Sequence, residues 1–158
     1  MRAIEAHGGI VDKFVGDDVM GVFGVPIATA EDGAHALAAG RALQAEIAAW
    51  NEKRRYAGRR PVSIGIGIHF GQVFAGVIEA GKRLEFTVIG DAVNTTHRIE
   101  ELTKTAGGPL LVSAELLKAA KIPCPSRDYH PLPAQTVRGR KEALQLFAPV
   151  WANNPPKA

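Results

Sequence analysis

The segment Ile10-Val-Asp-Lys-Phe-Val-Gly-Asp-Asp-Val-Met-Gly-Val-Phe23 reads as a strand, a turn and a returning strand. Residues 10–15 and 19–23 are rich in β-branched and aromatic side chains, and Gly16-Asp17-Asp18 between them is turn chemistry. His7-Gly8-Gly9 sets the hairpin off from what precedes it, and residues 24–26 close it. Beyond it, Thr29 suits an N-cap, and residues 30–55 predict a long helix. The apolar face of that helix is Ala36, Gly40, Leu43, Ile47 and Trp50, spaced three or four apart. Residues 62–69 and 72–78 read as extended segments around Gly71, and 84–89 as a further strand. Gly90-Asp91 opens a helix over about 92–105 with Ala92, Thr95, Ile99 and Leu102 facing inward, and Gly107-Gly108-Pro109 ends it. A short strand at 110–112 and a small helix, capped by Ser113 and running to about Lys121, come next. Pro123, Pro125, Pro131 and Pro133 make the following stretch irregular, a last strand spans 144–149, and residues 153–158 read as a frayed, disordered tail. This order predicts an α+β or α/β domain, with helices packed on a largely antiparallel sheet.

At 158 residues, 46% hydrophobic and 22% charged, the chain is sized and composed as one globular domain rather than a disordered segment. The single cysteine, Cys124, can form neither an internal disulfide nor a multi-thiolate zinc site, so a reducing, cytoplasmic compartment is expected. A net charge of +3 invites a nucleic-acid reading. The dense cluster Lys53, Arg54, Arg55, Arg59 and Arg60 instead suits a helix C-terminus and the loop after it, and no aromatic platform for bases accompanies it. Residues 61–78 carry no formal charge but are broken by glycines and alternate in isoleucine, the period of strands rather than of a spanning helix. No signal-peptide pattern opens the chain. No contact with nucleic acid or membrane is expected.

Three groups of residues could carry chemistry. Asp17 and Asp18 at the hairpin tip could hold a divalent cation against phosphate oxygens, or simply make a turn. Lys13 lies four residues earlier, where an exposed lysine would be ordinary. Asn94 and Arg98 project from one face of a helix near its N-terminus, which suits an anion such as phosphate, although both could be plain exposed polar positions. Gly65-Ile-Gly-Ile-His-Phe-Gly71 is glycine-spaced, but no helix follows it, so the dinucleotide-binding fingerprint fails. The histidines have no metal-ligand spacing and read as structural, and Cys124 reads as incidental.

Three blocks, Gly8-Gly-Ile-Val-Asp-Lys-Phe-Val-Gly-Asp17, Gly65-Ile-Gly-Ile-His-Phe-Gly71 and Phe86-Thr-Val-Ile-Gly-Asp-Ala-Val-Asn-Thr-Thr-His-Arg98, together resemble the class III adenylate/guanylate cyclase catalytic domain. Val137-Arg-Gly-Arg140 and the strand after it look like that domain's closing segment. The resemblance implies an α+β, ferredoxin-like cyclase fold over residues 1–152 and a homodimer with two active sites across its interface. It implies conversion of a nucleoside triphosphate to a 3′,5′-cyclic nucleotide and pyrophosphate, assisted by two divalent cations, Mg2+ or Mn2+. Asp17 matches the second of the family's two metal-binding aspartates, and Asp18 matches no metal role. Lys13 and Thr87 match the pair that reads the purine edge, in the combination that selects adenine and hence ATP; guanylate cyclases typically place Glu and Cys there. Asn94 and Arg98 match the pair that positions the ribose and meets the phosphate in the transition state, and Arg138 falls where a basic residue contacts the terminal phosphates.

The sequence departs from the family pattern in two places. The family's first metal aspartate belongs to an F-x-D-x-x-x-F-T block ahead of the Lys13 segment, and no such block is present, so an N-terminally truncated domain is expected. Its sheet should lack an interior strand, which leaves an edge open to self-association. Gly65 stands where some family members carry an Arg that touches phosphate. Two readings follow: the catalytic core of an adenylate cyclase, or a degenerate cyclase-homology domain that binds nucleotide or dimerises without turnover. Joint retention of Lys13, Asp17, Thr87, Asn94 and Arg98 favours the first. Weak or no cyclase activity is expected of this polypeptide, and robust cyclic AMP production from Mn-ATP would contradict that. A diguanylate cyclase is excluded because no G-G-D/E-E-F block exists.

Overall fold

A computed structural model of the chain describes residues 1–80, 83–105, 108–134 and 143–150. A short helix α1 (Arg2–Ala6), too brief to show a period in the sequence, leads into β1 (Ile10–Val15) and β2 (Asp18–Val22). These two strands form the expected antiparallel hairpin around a two-residue loop, Gly16-Asp17, with Gly16 at φ +65°. Loops of this length need a positive φ to follow the strand twist, and glycine takes it without strain. Val11 pairs with Gly21 and Lys13 with Met20, so Asp12 is the extra residue of a β-bulge.

The long helix α2 (Asp32–Tyr56) is capped at Glu31 rather than Thr29. Thr29 is engaged just ahead of it: its N–H donates to Asp32 Oδ2 at 2.6 Å and its hydroxyl to Asp32 Oδ1 at 2.8 Å. Its buried residues are Gly33, Ala36, Leu37, Ala39 and Gly40, all in the first half, whereas Trp50 on the expected apolar face is exposed under the Arg54 guanidinium. The reason is length: a 25-residue helix runs about 37 Å, far beyond strands of three or four residues. The basic cluster lies, as expected, at this helix end and the loop after it, where Arg54 Nε donates to the Arg60 carbonyl.

The rest of the chain is β3 (Ile66–Ile68), β4 (Phe74–Ala80), β5 (Arg83–Ile89), α3 (Asp91–Leu102), β6 (Leu110–Ser113), α4 (Ala114–Ala119), β7 (Tyr129–Pro131) and β8 (Leu146–Pro149). The main sheet has the order β3-β6-β8-β7, with β3 and β6 parallel and the other pairs antiparallel, while β4 and β5 form a separate antiparallel hairpin. The class is α+β and mainly antiparallel, as predicted, but the strands fall into three separate sheets among the described residues. The edge strand β7 was not legible among its prolines, and Pro131 is tolerated there because an edge residue need not donate to a ladder.

Strand β6 is buried throughout and its alternating side chains serve two cores. Leu110 and Val112 join Ala36 and Leu37 of α2 and Leu116 and Leu117 of α4 on one face, and Leu111 joins Ile99 of α3, Leu144 and Leu146 on the other. Ser113 caps α4 as expected, its hydroxyl accepting from the Leu116 N–H, and His69 Nδ1 lies 2.8 Å from the same oxygen. Among the described residues no helix is long and apolar enough to cross a membrane.

Candidate active site

Helix α3 reaches its place because Gly67, midway along β3, has no side chain. A Cβ on Gly67 would lie 2.5 Å from the Glu100 amide nitrogen and 2.7 Å from the Thr96 carbonyl oxygen, so the helix backbone rests directly on the strand. Buried Thr95 and Ile99 and half-buried Leu102 hold it there, as the spacing predicted. The opposite side of α3 carries Asn94, which is exposed, and Arg98, which is half-buried, one turn apart. The first-turn N–H groups of α3 point the same way as its positive dipole end, a setting that favours an anion beside Asn94.

The second cluster joins β1 to β5. Lys13 Nζ donates to Thr87 Oγ1, linking residues far apart in sequence. Thr87 is buried and sits opposite Gly76 in the β4–β5 ladder, whereas the Lys13 side chain is 33% exposed. Thr87 takes one of the three ammonium protons, and the exposed side of the group faces outward with a donor to spare.

Asp17 is exposed at the tip of the first hairpin. Its neighbour Asp18 turns toward α3, with Oδ2 3.9 Å from His97 Nδ1, while His97 Nε2 lies 3.9 Å from Glu101 Oε1. Asp18, His97 and Glu100 bring one potential ligand atom each within 4.8 Å of one another. In the sequence Asp18 matches no metal role by resemblance and His97 reads as structural, because ligands converging from a hairpin tip and a helix leave no spacing motif. His69, by contrast, is buried and structural as expected. The tip and the face of α3 beside Arg98 are therefore neighbours within one chain.

Arg138 and the tail 153–158 lie outside the described residues. A Cβ on Gly65 would press on the Thr103 hydroxyl and Glu100 Oε1, so an Arg at this position would require those side chains to turn aside. Hard divalent cations take oxygen ligands, and Mg2+ is commonly held by one or two carboxylates together with substrate phosphates. The solvent-facing Asp17 carboxylate fits such a shared site. One buried carboxylate in this region, Asp12, had no signal in the sequence that marked it.

The sequence profile of the adenylate and guanylate cyclase catalytic domain matches residues 3–148. The chain is 34% identical over 154 residues to an adenylate cyclase of Anabaena cylindrica, covering 92% of this chain and 29% of that protein. It is 29% identical to adenylate cyclase 1 of Rhizobium meliloti, covering 92% of this chain and 22% of that protein. The chain thus spans about a quarter of the length of the curated relatives it matches. Among solved structures, the guanylyl cyclase Cya2 superimposes with a TM-score of 0.77 at 32% identity over 98% of this chain and 76% of that one. The adenylyl cyclase CyaB from P. aeruginosa does so with a TM-score of 0.81 at 27% identity, over 94% and 75%.

Proposed function

The chain belongs to the adenylate and guanylate cyclase catalytic domain family, and we propose that it is the catalytic domain of an adenylate cyclase, converting ATP to 3′,5′-cyclic AMP and pyrophosphate in the cytoplasm. The observation that carries the choice of nucleotide is the Lys13–Thr87 hydrogen bond. Adenine presents a ring-nitrogen acceptor beside an amino donor on its pairing edge, and guanine presents the reverse pattern. An ammonium only donates and a hydroxyl can accept, so the pair complements adenine and opposes guanine. Similarity to named proteins does not choose between the bases, because an adenylate and a guanylyl cyclase resemble the chain at 34% and 32% identity.

Divalent cations, when bound, would acidify the ribose 3′-hydroxyl and neutralise charge at the α-phosphate. Asp17 would hold them with the substrate phosphates. Asn94 orients the ribose so that its 3′-oxygen faces the α-phosphorus, and Arg98 meets the charge that builds on the phosphate oxygens. Arg138 would contact the terminal phosphates. The new bond joins the 3′-oxygen to the α-phosphorus, the bond to the β-phosphate oxygen breaks, pyrophosphate leaves with that electron pair, and the hydroxyl proton passes to solvent.

A homodimer with active sites at its interface agrees with the apolar surface. Phe74, Val77, Leu84, Phe86 and Ile89 of the β4–β5 hairpin are exposed, and so are Phe14, Val15 and Val19 at the tip of the first hairpin. The test is product analysis with Mn-ATP and Mn-GTP. Cyclic AMP is expected to exceed cyclic GMP, and Asp17→Asn should lower it by at least about 100-fold, the upper end for losing even an outer-shell partner of a metal. Cyclic GMP in excess would overturn the adenine reading. Tight ATP binding with no cyclic product would leave a nucleotide-binding module instead.

A further inference from the structure

The bulge residue Asp12 presents a feature that the cyclase reading leaves unexplained. Its side chain is only 1% exposed, yet neither carboxylate oxygen accepts a hydrogen bond among the described residues. A buried carboxylate of this kind persists only where a cation opposes it. That cation is its own chain neighbour: Lys13 Nζ lies 3.3 Å from Asp12 Oδ2. In a regular strand successive side chains point to opposite faces, which would part the two charges. The bulge at Asp12 breaks that alternation and lets both side chains turn toward one point. The Lys13 ammonium is thereby held from two sides, by the Asp12 carboxylate and by the Thr87 hydroxyl, with its third side open to solvent.

We infer that Asp12 is a positioning residue for base selection: its buried carboxylate anchors the Lys13 ammonium in the geometry that discriminates adenine from guanine nucleotides. The inference rests on the proposed role of Lys13 and Thr87 and adds a third member to that pair. A lysine side chain has four rotatable bonds, and an ammonium left to one hydroxyl could swing to accommodate either base edge. An anchored one presents its remaining donors in one direction only, which is what discrimination requires.

The experiment measures dissociation constants for Mn-ATP and Mn-GTP by calorimetry on the wild-type chain, Asp12→Asn, Lys13→Ala and the double variant. The ratio of the two constants is expected to fall about tenfold in Asp12→Asn, the lower end of the coupling between two close opposite charges. In the Lys13→Ala background Asp12→Asn should change the ratio no further, because Asp12 acts through Lys13. A second readout needs no nucleotide: NMR order parameters of the Lys13 ammonium should drop in Asp12→Asn while the melting temperature holds or rises. An unchanged ratio with an unchanged ammonium order would overturn the role of Asp12. If Lys13→Ala lowers the ratio and Asp12→Asn does not, the base reading stands and the inference about Asp12 fails. If the wild-type chain shows no preference, or Lys13→Ala keeps it, the base reading fails and this inference goes with it.

Discussion

Lys13 and Thr87 are single residues whose proposed role depends on which atom carries the proton. Replacing Lys13 by Glu turns a donor into an acceptor, and Thr87→Cys weakens the partner hydroxyl to a thiol. The double variant should therefore favour the guanine base, which presents donors where adenine presents an acceptor. We expect the ATP-to-GTP preference to fall at least about 100-fold, from the loss of one matched pair and the gain of an opposed one. Competition between the two nucleotides in one binding assay reads this directly, and an unaltered preference would place base recognition elsewhere. At this scale the sequence was informative. Lys13, Asp17, Thr87, Asn94 and Arg98 all lie in linear motifs, because each block is contiguous and runs over elements adjacent in the chain. Asp12 was not, since its significance is its burial, and burial is a property of what packs over a residue.

Among the elements, the contact of α3 with β3 decides where Asn94 and Arg98 stand. Gly67→Ala would place a methyl against two backbone atoms, at 2.5 Å from the Glu100 nitrogen and 2.7 Å from the Thr96 oxygen, neither of which can rotate away. The helix must shift, at a cost of about 1–3 kcal/mol typical of overpacking. Misplacement of reacting groups by an ångström costs about 100-fold in rate. Thermal unfolding and cyclic AMP production should therefore both fall in Gly67→Ala, and a lowered melt with an unaltered rate would detach α3 from catalysis. The periodicity of α3 was legible because one face is uniformly packed. That of α2 misled beyond its midpoint, because an apolar stripe continues to Trp50 after the sheet beneath it has ended.

For the molecule as a whole, the apolar side chains of the β4–β5 hairpin are the prominent unburied hydrophobic surface, with Phe74 70% and Leu84 75% exposed. Patches of this kind mark interaction sites in soluble domains. Covering two such side chains contributes about 1.5–3 kcal/mol each. Phe74→Asp with Leu84→Asp should then weaken self-association by at least about 100-fold and leave the melting temperature of the monomer unaltered, because neither side chain is in a core. Sedimentation across a concentration series separates the two cases. A double variant that associates as well as the wild type would move the interface off this hairpin.

The order of the elements other than α1 and β7, the α+β class and the family were readable from the chain alone, because turns, caps and side-chain periods are local and the family motifs are contiguous. Tertiary packing decided what local chemistry could not. It brought the Lys13 ammonium to Thr87, buried Asp12 beside it, turned Asp18 toward His97 and divided the described strands into three sheets. Each of these depends on the meeting of elements distant in sequence, and no spacing along one segment encodes which partner a side chain will face.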